Sequence, residues 1–272
     1  MSFRALGALL GAAAFAAALA SCAALEPPPA GRPATPSELS RLRVALEARE
    51  RAVENLQGLA ELALQGELEQ YNGRAVVVLA REGSFRIEVL DFFGRPALLV
   101  AAHRGRLQVY LPGRGRLYWG RAARGAMARW LGVPLSAEEV SAVLRGALPL
   151  LGREGSSPLE VESLGDEWHL EVPGTGSRPP QQVWLAGRSF RPRRARIGGA
   201  GGVEVRYGKF LAIGGVSVPG TIEVELGAGE RSLRLRYLAS SLRVNSPLSQ
   251  GVFALSPPAG VERLPLDAAG AL

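Results

Sequence analysis

The amino-acid sequence predicts a mainly β protein with a few helices, an α+β fold built on one large, curved antiparallel sheet. Apolar and polar residues alternate in short segments between residues 56 and 238. Turn residues separate these segments at spacings of about eight to twelve residues, which is typical of an antiparallel meander. A helical pattern precedes the first of these segments, and a pair of short helical patterns interrupts them midway.

The first helical pattern runs from Ser37, the candidate N-cap, to about Asn55. Its apolar stripe consists of Leu39, Leu42, Val44, Leu46, Ala52 and Val53. Arg and Glu residues dominate the opposite side, which we interpret as a solvated face stabilised by pairs four residues apart. The sequence therefore predicts an amphipathic helix in front of the sheet.

The first strands are predicted at residues 56–64, 74–81, 85–90, 97–101, 107–111 and 117–120. The turn between the third and the fourth of these strands contains Phe92-Phe93-Gly94. A turn is normally polar, because its backbone must stay near water to satisfy its hydrogen bonds. The two phenylalanines are therefore either covered by another element or available for an apolar contact.

Two short helices are predicted next, at residues 122–131 and 136–146. Ser136 and Glu139 have the spacing of a capping box at the start of the second helix. Strands then resume at residues 159–164, 168–172, 182–186, 192–197, 203–207, 221–226 and 233–238. Because no linker is visible inside residues 37–260, we predict one domain over that range, followed by a tail at residues 261–272.

Residues 1–21 have the pattern of a signal peptide: Arg4 precedes an apolar run that is shorter than the roughly 20 residues of a membrane span. The run ends in Leu19-Ala20-Ser21-Cys22, which resembles the bacterial lipobox, where the cysteine is acylated and becomes the new N-terminus. An ordinary secretory signal with a chance cysteine is the alternative. Cys22 is the only cysteine, so a disulfide within the chain is excluded.

Residues 22–36 are rich in proline and predict an extended tether from the lipidated Cys22. Ala23, rather than Asp, follows the cysteine. This pattern resembles that of lipoproteins forwarded to the outer membrane. We therefore expect a protein that is lipid-anchored in the outer membrane and faces the periplasm.

Residues suited to catalysis are sparse. His103 falls at an apparent turn and His169 within a strand, and neither has metal-ligand spacing or a nearby nucleophile. Asp166-Glu167 is interpreted as a β-turn, and the glycine runs at 113–115 and 198–202 lack the strand-to-helix context of a phosphate loop. The sequence thus predicts no catalytic residue, no metal and no cofactor, so we do not expect an enzyme.

The formal net charge is +7, and arginine supplies nearly all of the positive charge. The densest basic cluster is Arg188, Arg191, Arg193, Arg194 and Arg196. We interpret it as a solvated sheet edge, with contact to anionic lipid head groups as the alternative. The secretion signal argues against nucleic acid as a partner.

Four tryptophans are spread over different elements: Trp119, Trp130, Trp168 and Trp184. Core packing is the simplest interpretation of these residues. The sharper alternative is that they line an apolar cavity.

Several segments, in this order, resemble the outer-membrane lipoprotein receptor LolB and its LolA/LolB-like relatives. They are residues 85–99, 117–118, 130–136, 144–146 and 203–222. The resemblance implies an incompletely closed antiparallel β-barrel whose concave apolar side is covered by an α-helical lid. It also implies a protein that accepts a lipoprotein from a periplasmic carrier, holds its acyl chains in an apolar cavity and helps to insert it into the outer membrane.

The resemblance also gives a role to the Phe-Phe turn. In the family, a hydrophobic residue at the tip of the corresponding loop projects outward and serves membrane insertion. Phe93 matches that residue, and Phe92 would strengthen the contact. We expect a monomer that contacts a membrane and lipoprotein acyl chains. The alternative is a structural or adaptor lipoprotein of the cell envelope that has the same fold and does not transfer lipid.

Overall fold

One large sheet of sixteen strands dominates the protein. The computed structural model describes residues 31–66, 70–148, 160–176, 179–199, 201–229 and 231–268. The predicted signal peptide, the lipobox, the lipidation site Cys22 and the tether up to residue 30 lie outside the described residues.

The helices are α1 (Pro36–Ala52), α2 (Arg124–Leu131) and α3 (Ala137–Arg145). The strands of the first half are β1 (Arg32–Pro33), β2 (Asn55–Gln65), β3 (Gln70–Ala80), β4 (Ser84–Leu90), β5 (Pro96–His103), β6 (Arg106–Leu111) and β7 (Arg116–Arg121). The remaining strands are β8 (Glu160–Leu164), β9 (Glu167–Val172), β10 (Gln181–Ala186), β11 (Pro192–Ile197), β12 (Val203–Gly208), β13 (Leu211–Ile213), β14 (Val216–Val218), β15 (Thr221–Leu226), β16 (Arg231–Tyr237), β17 (Arg243–Val244) and β18 (Glu262–Pro265).

The large sheet is open. Its strand order is β1-β8-β9-β10-β11-β12-β15-β16-β2-β3-β4-β5-β6-β7-β18, with β17 also beside β2, while β13 and β14 form a separate hairpin. Every pair in the large sheet is antiparallel except β7 with β18. Because β1 and β18 stand at opposite ends of this order, the sheet does not close into a barrel. The predicted fold class, a mainly β protein with an incompletely closed antiparallel barrel and helices, is confirmed.

The core lies on one face of the sheet, here called the inner face. The register places Leu56 opposite Leu79, Leu79 opposite Phe85, and Phe85 opposite Ala102, and all four side chains are fully buried. Apolar residues of the three helices belong to the same buried cluster. The inner face is therefore the face that the helices cover, and the alternate residues of each strand point to the opposite, outer face.

Both predicted lid helices are present, and a buried arginine connects the second of them to the end of α1. Arg145 of α3 is buried, donates a hydrogen bond to the carbonyl of Val53 at 2.6 Å and lies 3.5 Å from the Glu50 carboxylate. The predicted capping box of Ser136 and Glu139 is confirmed. None of the helices in the described ranges is long and apolar enough to cross a bilayer.

The first helix begins two residues earlier than the sequence predicts. Its N-cap is Thr35 rather than Ser37, because Thr35 and Glu38 form a capping box in which each side chain accepts the backbone N–H of the other residue. Pro36 occupies the first helical position, where its missing N–H costs no hydrogen bond.

Both predicted end segments contribute to the sheet. Arg32 and Pro33, which the sequence assigns to the tether, pair with β8, and β18, which it assigns to the tail, pairs with β7. Residues from Arg32 onward form one compact unit. Two strands outside the predicted range of 37–260 thus belong to the sheet, and the sequence does not reveal them because very short strands that contain proline lack the alternation by which strands are recognised.

The segment before β18 covers the outer face of β5 to β7. Leu255 packs there with Leu99, Ala101 and Leu117 in a small second core, and its backbone N–H donates to the Gln108 side chain at 3.1 Å. This cover removes the apolar outer side chains of these strands from water, so the sheet is packed on both faces at this place.

Candidate functional site

The turn between β4 and β5 presents two aromatic rings to the solvent. Phe92 is 97% exposed and Phe93 is 77% exposed. Their rings meet edge to face with centroids 5.5 Å apart. Of the two interpretations that the sequence left open, a covered turn is therefore wrong, and the pair is free for an apolar contact. We call residues 91–95 the tip.

Asp91 fixes the conformation of the tip. Its Oδ1 atom accepts the backbone N–H of Phe93 at 2.9 Å and that of Arg95 at 2.8 Å. The N–H of Asp91 in turn donates to the carbonyl of Arg95 at 2.7 Å. Gly94 closes the turn with a φ of 78°, a conformation that glycine adopts without steric cost. The two rings are thus displayed by a turn whose backbone is already hydrogen-bonded.

The charges of the tip are paired. The Arg95 guanidinium lies 2.9 Å from the Asp91 carboxylate and 5.2 Å from the centroid of the Phe93 ring. The backbone N–H and the guanidinium of Arg95 hold the pKa of Asp91 below its usual range. The tip therefore combines two exposed rings with an Asp91 carboxylate whose charge is neutralised by Arg95.

The base of the tip is braced from β3. The hydroxyl of Tyr71 donates to the carbonyl of Leu90, the last residue of β4, at 2.8 Å. The Tyr71 side chain crosses Gly73, where a Cβ atom would lie 2.1 Å from the tyrosine oxygen. Glycine at residue 73 thus leaves room for the tyrosine that supports the tip.

Burial on the inner face decreases toward the tip. At the far end of the sheet the inner side chains, such as Leu79, Phe85 and Leu107, are fully buried. Near the tip the apolar side chains are only partly buried against the core, namely those of Leu62, Ile87, Leu98, Leu111, Leu131, Val133 and Leu233. We call these seven residues the tip-side band. Ile87 of β4 and Leu98 of β5 belong to the two strands that carry the tip, so part of this accessible apolar surface lies beside it.

The four tryptophans do not share one face. Trp130 of α2 is buried against Tyr118, with ring centroids 4.5 Å apart, and Trp168 is buried on the inner face. Trp184 lies between the inward residues Val183 and Leu185, so it points outward. Trp119 also points outward and is 46% exposed. Trp119 and Trp184 therefore cannot line a space between the sheet and the helices, because side chains alternate between the two faces.

Most arginines of the cluster at residues 188–196 contact a carboxylate or an aromatic ring. Arg193 pairs with Asp166 at 2.9 Å and with Glu167 at 2.8 Å, and Arg196 pairs with Glu204 at 2.9 Å. Arg194 stacks on the Trp184 ring at 3.7 Å. These contacts favour a solvated surface over contact with anionic head groups, since most of the cluster already has partners. The cluster does not lie at a sheet edge, because β11 is paired with β10 on one side and with β12 on the other.

The histidines serve packing contacts. His103 lies 2.9 Å from the Ser84 hydroxyl and stacks on Phe253, and His169 stacks on Trp184. Among the described residues, no three His, Cys, Asp or Glu side chains come together in a way that could hold a metal ion.

A recess of about 870 Å³ lies elsewhere, along β8 to β12. Its walls combine polar residues such as Glu160, Glu171 and Glu204 with glycines and with the apolar residues Val172, Pro173 and Pro180. It also reaches Glu225 of β15, and the strands β16, β2 and β3 separate it from β4 in the sheet order. It contains several carboxylates and is not adjacent to the tip, so it is separate from the tip region.

The fold is the one seen in LolA-like proteins. No protein-family profile matches the chain, and no curated protein matches it either. A LolA superfamily protein from Nitrosomonas europaea is similar with a TM-score of 0.55 and 16% identity, over 79% of this chain and 97% of that one. An outer membrane lipoprotein-sorting protein domain from Vibrio parahaemolyticus has a TM-score of 0.56 and 17% identity, over 79% of this chain and 97% of that one. A DUF1329 family protein from Desulfovibrio piger has a TM-score of 0.53 and 13% identity, over 79% of this chain and 96% of that one.

These likenesses define the class of the fold, an open LolA-like sheet with covering helices. They do not single out LolB, the member that the sequence resemblance suggested.

Proposed function

We propose that this chain is an outer-membrane lipoprotein, anchored through acylated Cys22 and facing the periplasm, that binds lipoprotein acyl chains and helps to insert lipoproteins into that membrane. The observation that carries the proposal is the exposed pair Phe92 and Phe93 on a hydrogen-bonded turn. In this proposal the chain acts as a monomer of the LolB type and receives its cargo from a periplasmic carrier.

The exposed rings favour a bilayer as the surface that the tip contacts. Transferring a phenylalanine side chain out of water contributes about 1.5–3 kcal/mol. The tip is already ordered by Asp91, so little conformational entropy is lost when the rings enter an apolar phase. An edge-to-face aromatic pair at a protruding turn thus has the geometry of a small membrane wedge.

The tip-side band supports the second half of the proposal. Its side chains, Leu98 and Ile87 among them, are apolar, belong to the inner face and remain partly accessible. Each methylene of an acyl chain buried there would contribute about 0.8 kcal/mol. Such binding requires no catalytic group, and a chain held on the band would lie on the way to the tip.

Delivery of a lipoprotein to vesicles tests this proposal. The wild-type protein should take up a fluorescent acyl probe, accept a lipoprotein from a carrier and release it to vesicles. The Phe93→Glu variant should retain probe uptake, since its change lies outside the band, but should deliver poorly. Val44→Glu is the matched control, because Val44 is 64% exposed on α1.

Failure of the wild-type protein to take up the probe would contradict the proposal. Co-purification with a defined envelope protein that survives replacement of both phenylalanines would instead support the structural or adaptor role.

A further inference from the structure

Three exposed arginines surround the tip. Arg95 belongs to the tip itself, and Arg114 lies in the next turn of the sheet, between β6 and β7. Arg74 of β3 stands directly opposite Leu90, the residue that precedes the tip. We call these three residues the arginine collar.

The strand register explains why these residues lie at the same end of the sheet. Leu99 of β5 pairs with Tyr110 of β6, and each step back along β5 corresponds to a step forward along β6. Beyond this pair, β5 leads back to Arg95 in the tip, and β6 leads on to Arg114 in the turn Pro112–Arg114. The two arginines therefore occupy neighbouring turns.

The collar carries more positive than negative charge. Asp91 pairs with Arg95. In the described parts of the chain, no carboxylate forms an ion pair with Arg74 or Arg114; Glu61 stands opposite Arg74 in the register, but its carboxylate pairs with Arg236. This distinguishes the collar from the 188–196 cluster, whose arginines are mostly matched by carboxylates or an aromatic ring.

We infer that the arginine collar makes the tip select bilayers with anionic phospholipids, an inference that rests on the membrane contact proposed above. When the two rings enter the acyl region, the neighbouring turns lie at the level of the head groups. Guanidinium groups bind phosphate oxygens in a bidentate manner and place their charge at this depth while their stems stay in apolar surroundings. Arg95 is stacked over Phe93, so its charge reaches the interface together with the ring.

The expected effect of each arginine can be stated as a change in affinity. A basic residue near an anionic surface contributes about 1 kcal/mol, which corresponds to roughly a fivefold change in binding. The contribution should vanish at high salt, since the Debye length falls to about 3 Å in 1 M salt. The contribution of the phenylalanines should persist there.

Vesicle co-sedimentation of the chain from residue 23 onward, which includes the whole compact unit, tests the inference. One set of vesicles contains phosphatidylcholine only, and the other also contains phosphatidylglycerol. Arg114→Gln should bind anionic vesicles roughly fivefold more weakly, and the double variant with Arg74→Gln roughly 25-fold, with no change on phosphatidylcholine. Arg104→Gln is the control, because Arg104 is exposed in the turn at the opposite end of β5.

Arg95 requires a conservative variant, because it also holds Asp91 and stacks on Phe93. Arg95→Lys keeps the charge and should keep the preference for anionic vesicles.

The outcomes separate this inference from the proposed function. Equal binding to both kinds of vesicle, with binding still dependent on the phenylalanines, would overturn the inference and leave the membrane contact intact. Equal losses in Arg114→Gln and Arg104→Gln would also overturn it, since general charge would then explain the effect. Binding to neither kind of vesicle would overturn the membrane contact itself.

Discussion

Replacing both Phe92 and Phe93 by serine should abolish most membrane affinity and leave folding intact. The two side chains are 97% and 77% exposed, so nearly their whole apolar surface is available to a bilayer. At about 1.5–3 kcal/mol for each fully transferred ring, the pair contributes about 3–5 kcal/mol, or roughly 10²- to 10⁴-fold in vesicle binding. The ring of Phe92, as the more exposed of the two, should account for the larger share.

Two measurements check this prediction. Vesicle flotation gives the change in affinity, and urea denaturation gives the change in the free energy of unfolding, which should stay within about 0.5 kcal/mol. Val44→Ser provides the control for loss of an exposed apolar side chain elsewhere. Unchanged vesicle binding would refute the membrane role of the tip. A loss of several kcal/mol of stability would refute the view that the rings contact only the tip itself and no other element.

Three further perturbations follow from the packing and the charges. Arg145→Met should lower the free energy of unfolding by about 3 kcal/mol in urea denaturation, because it leaves the buried carbonyl of Val53 without its donor; a loss below 1 kcal/mol would contradict this. Leu266→Ala should cost about 2–5 kcal/mol, measured in the same way, because this buried side chain packs on Gly120 and fixes the segment after β18. The pKa of Asp91 lies below the ordinary aspartate value of about 3.9, so its carboxylate supports the tip until the pH falls through that lowered pKa. Binding to phosphatidylcholine vesicles should therefore be constant from neutral pH to about pH 4 and should fall only at lower pH. A fall in binding above about pH 4 would contradict this prediction.

Much of the fold could be predicted because the longer strands alternate regularly. The segments 192–197 and 221–226 match β11 and β15 in both bounds. The tip was also recognisable, since two phenylalanines in a short turn conflict with the polar composition of turns. Its exposure could not be predicted, because whether another element covers a turn depends on contacts distant in sequence.

The errors have local physical causes. Thr35 shares the capping-box spacing with Glu38, and this spacing would have identified it as the N-cap in place of Ser37. β18 is defined by its parallel pairing with β7 rather than by its own sequence, so no pattern within it indicates a strand. The outward position of Trp184 was available from its neighbours, since Val183 and Leu185 are typical inward residues of an alternating strand.

The decrease in burial along the inner face has a consequence for local opening. Strand β4 runs from the fully buried Phe85 to the partly exposed Ile87 and then to the tip. Its first residues are therefore packed more tightly against the core than its last residues. Amide hydrogens near the tip should exchange through local fluctuations, while those at the packed end should exchange only when the whole protein unfolds. Under the proposed function, an acyl chain would enter beside the tip at the free-energy cost of a local opening, with the helices and the far end of the sheet remaining in place.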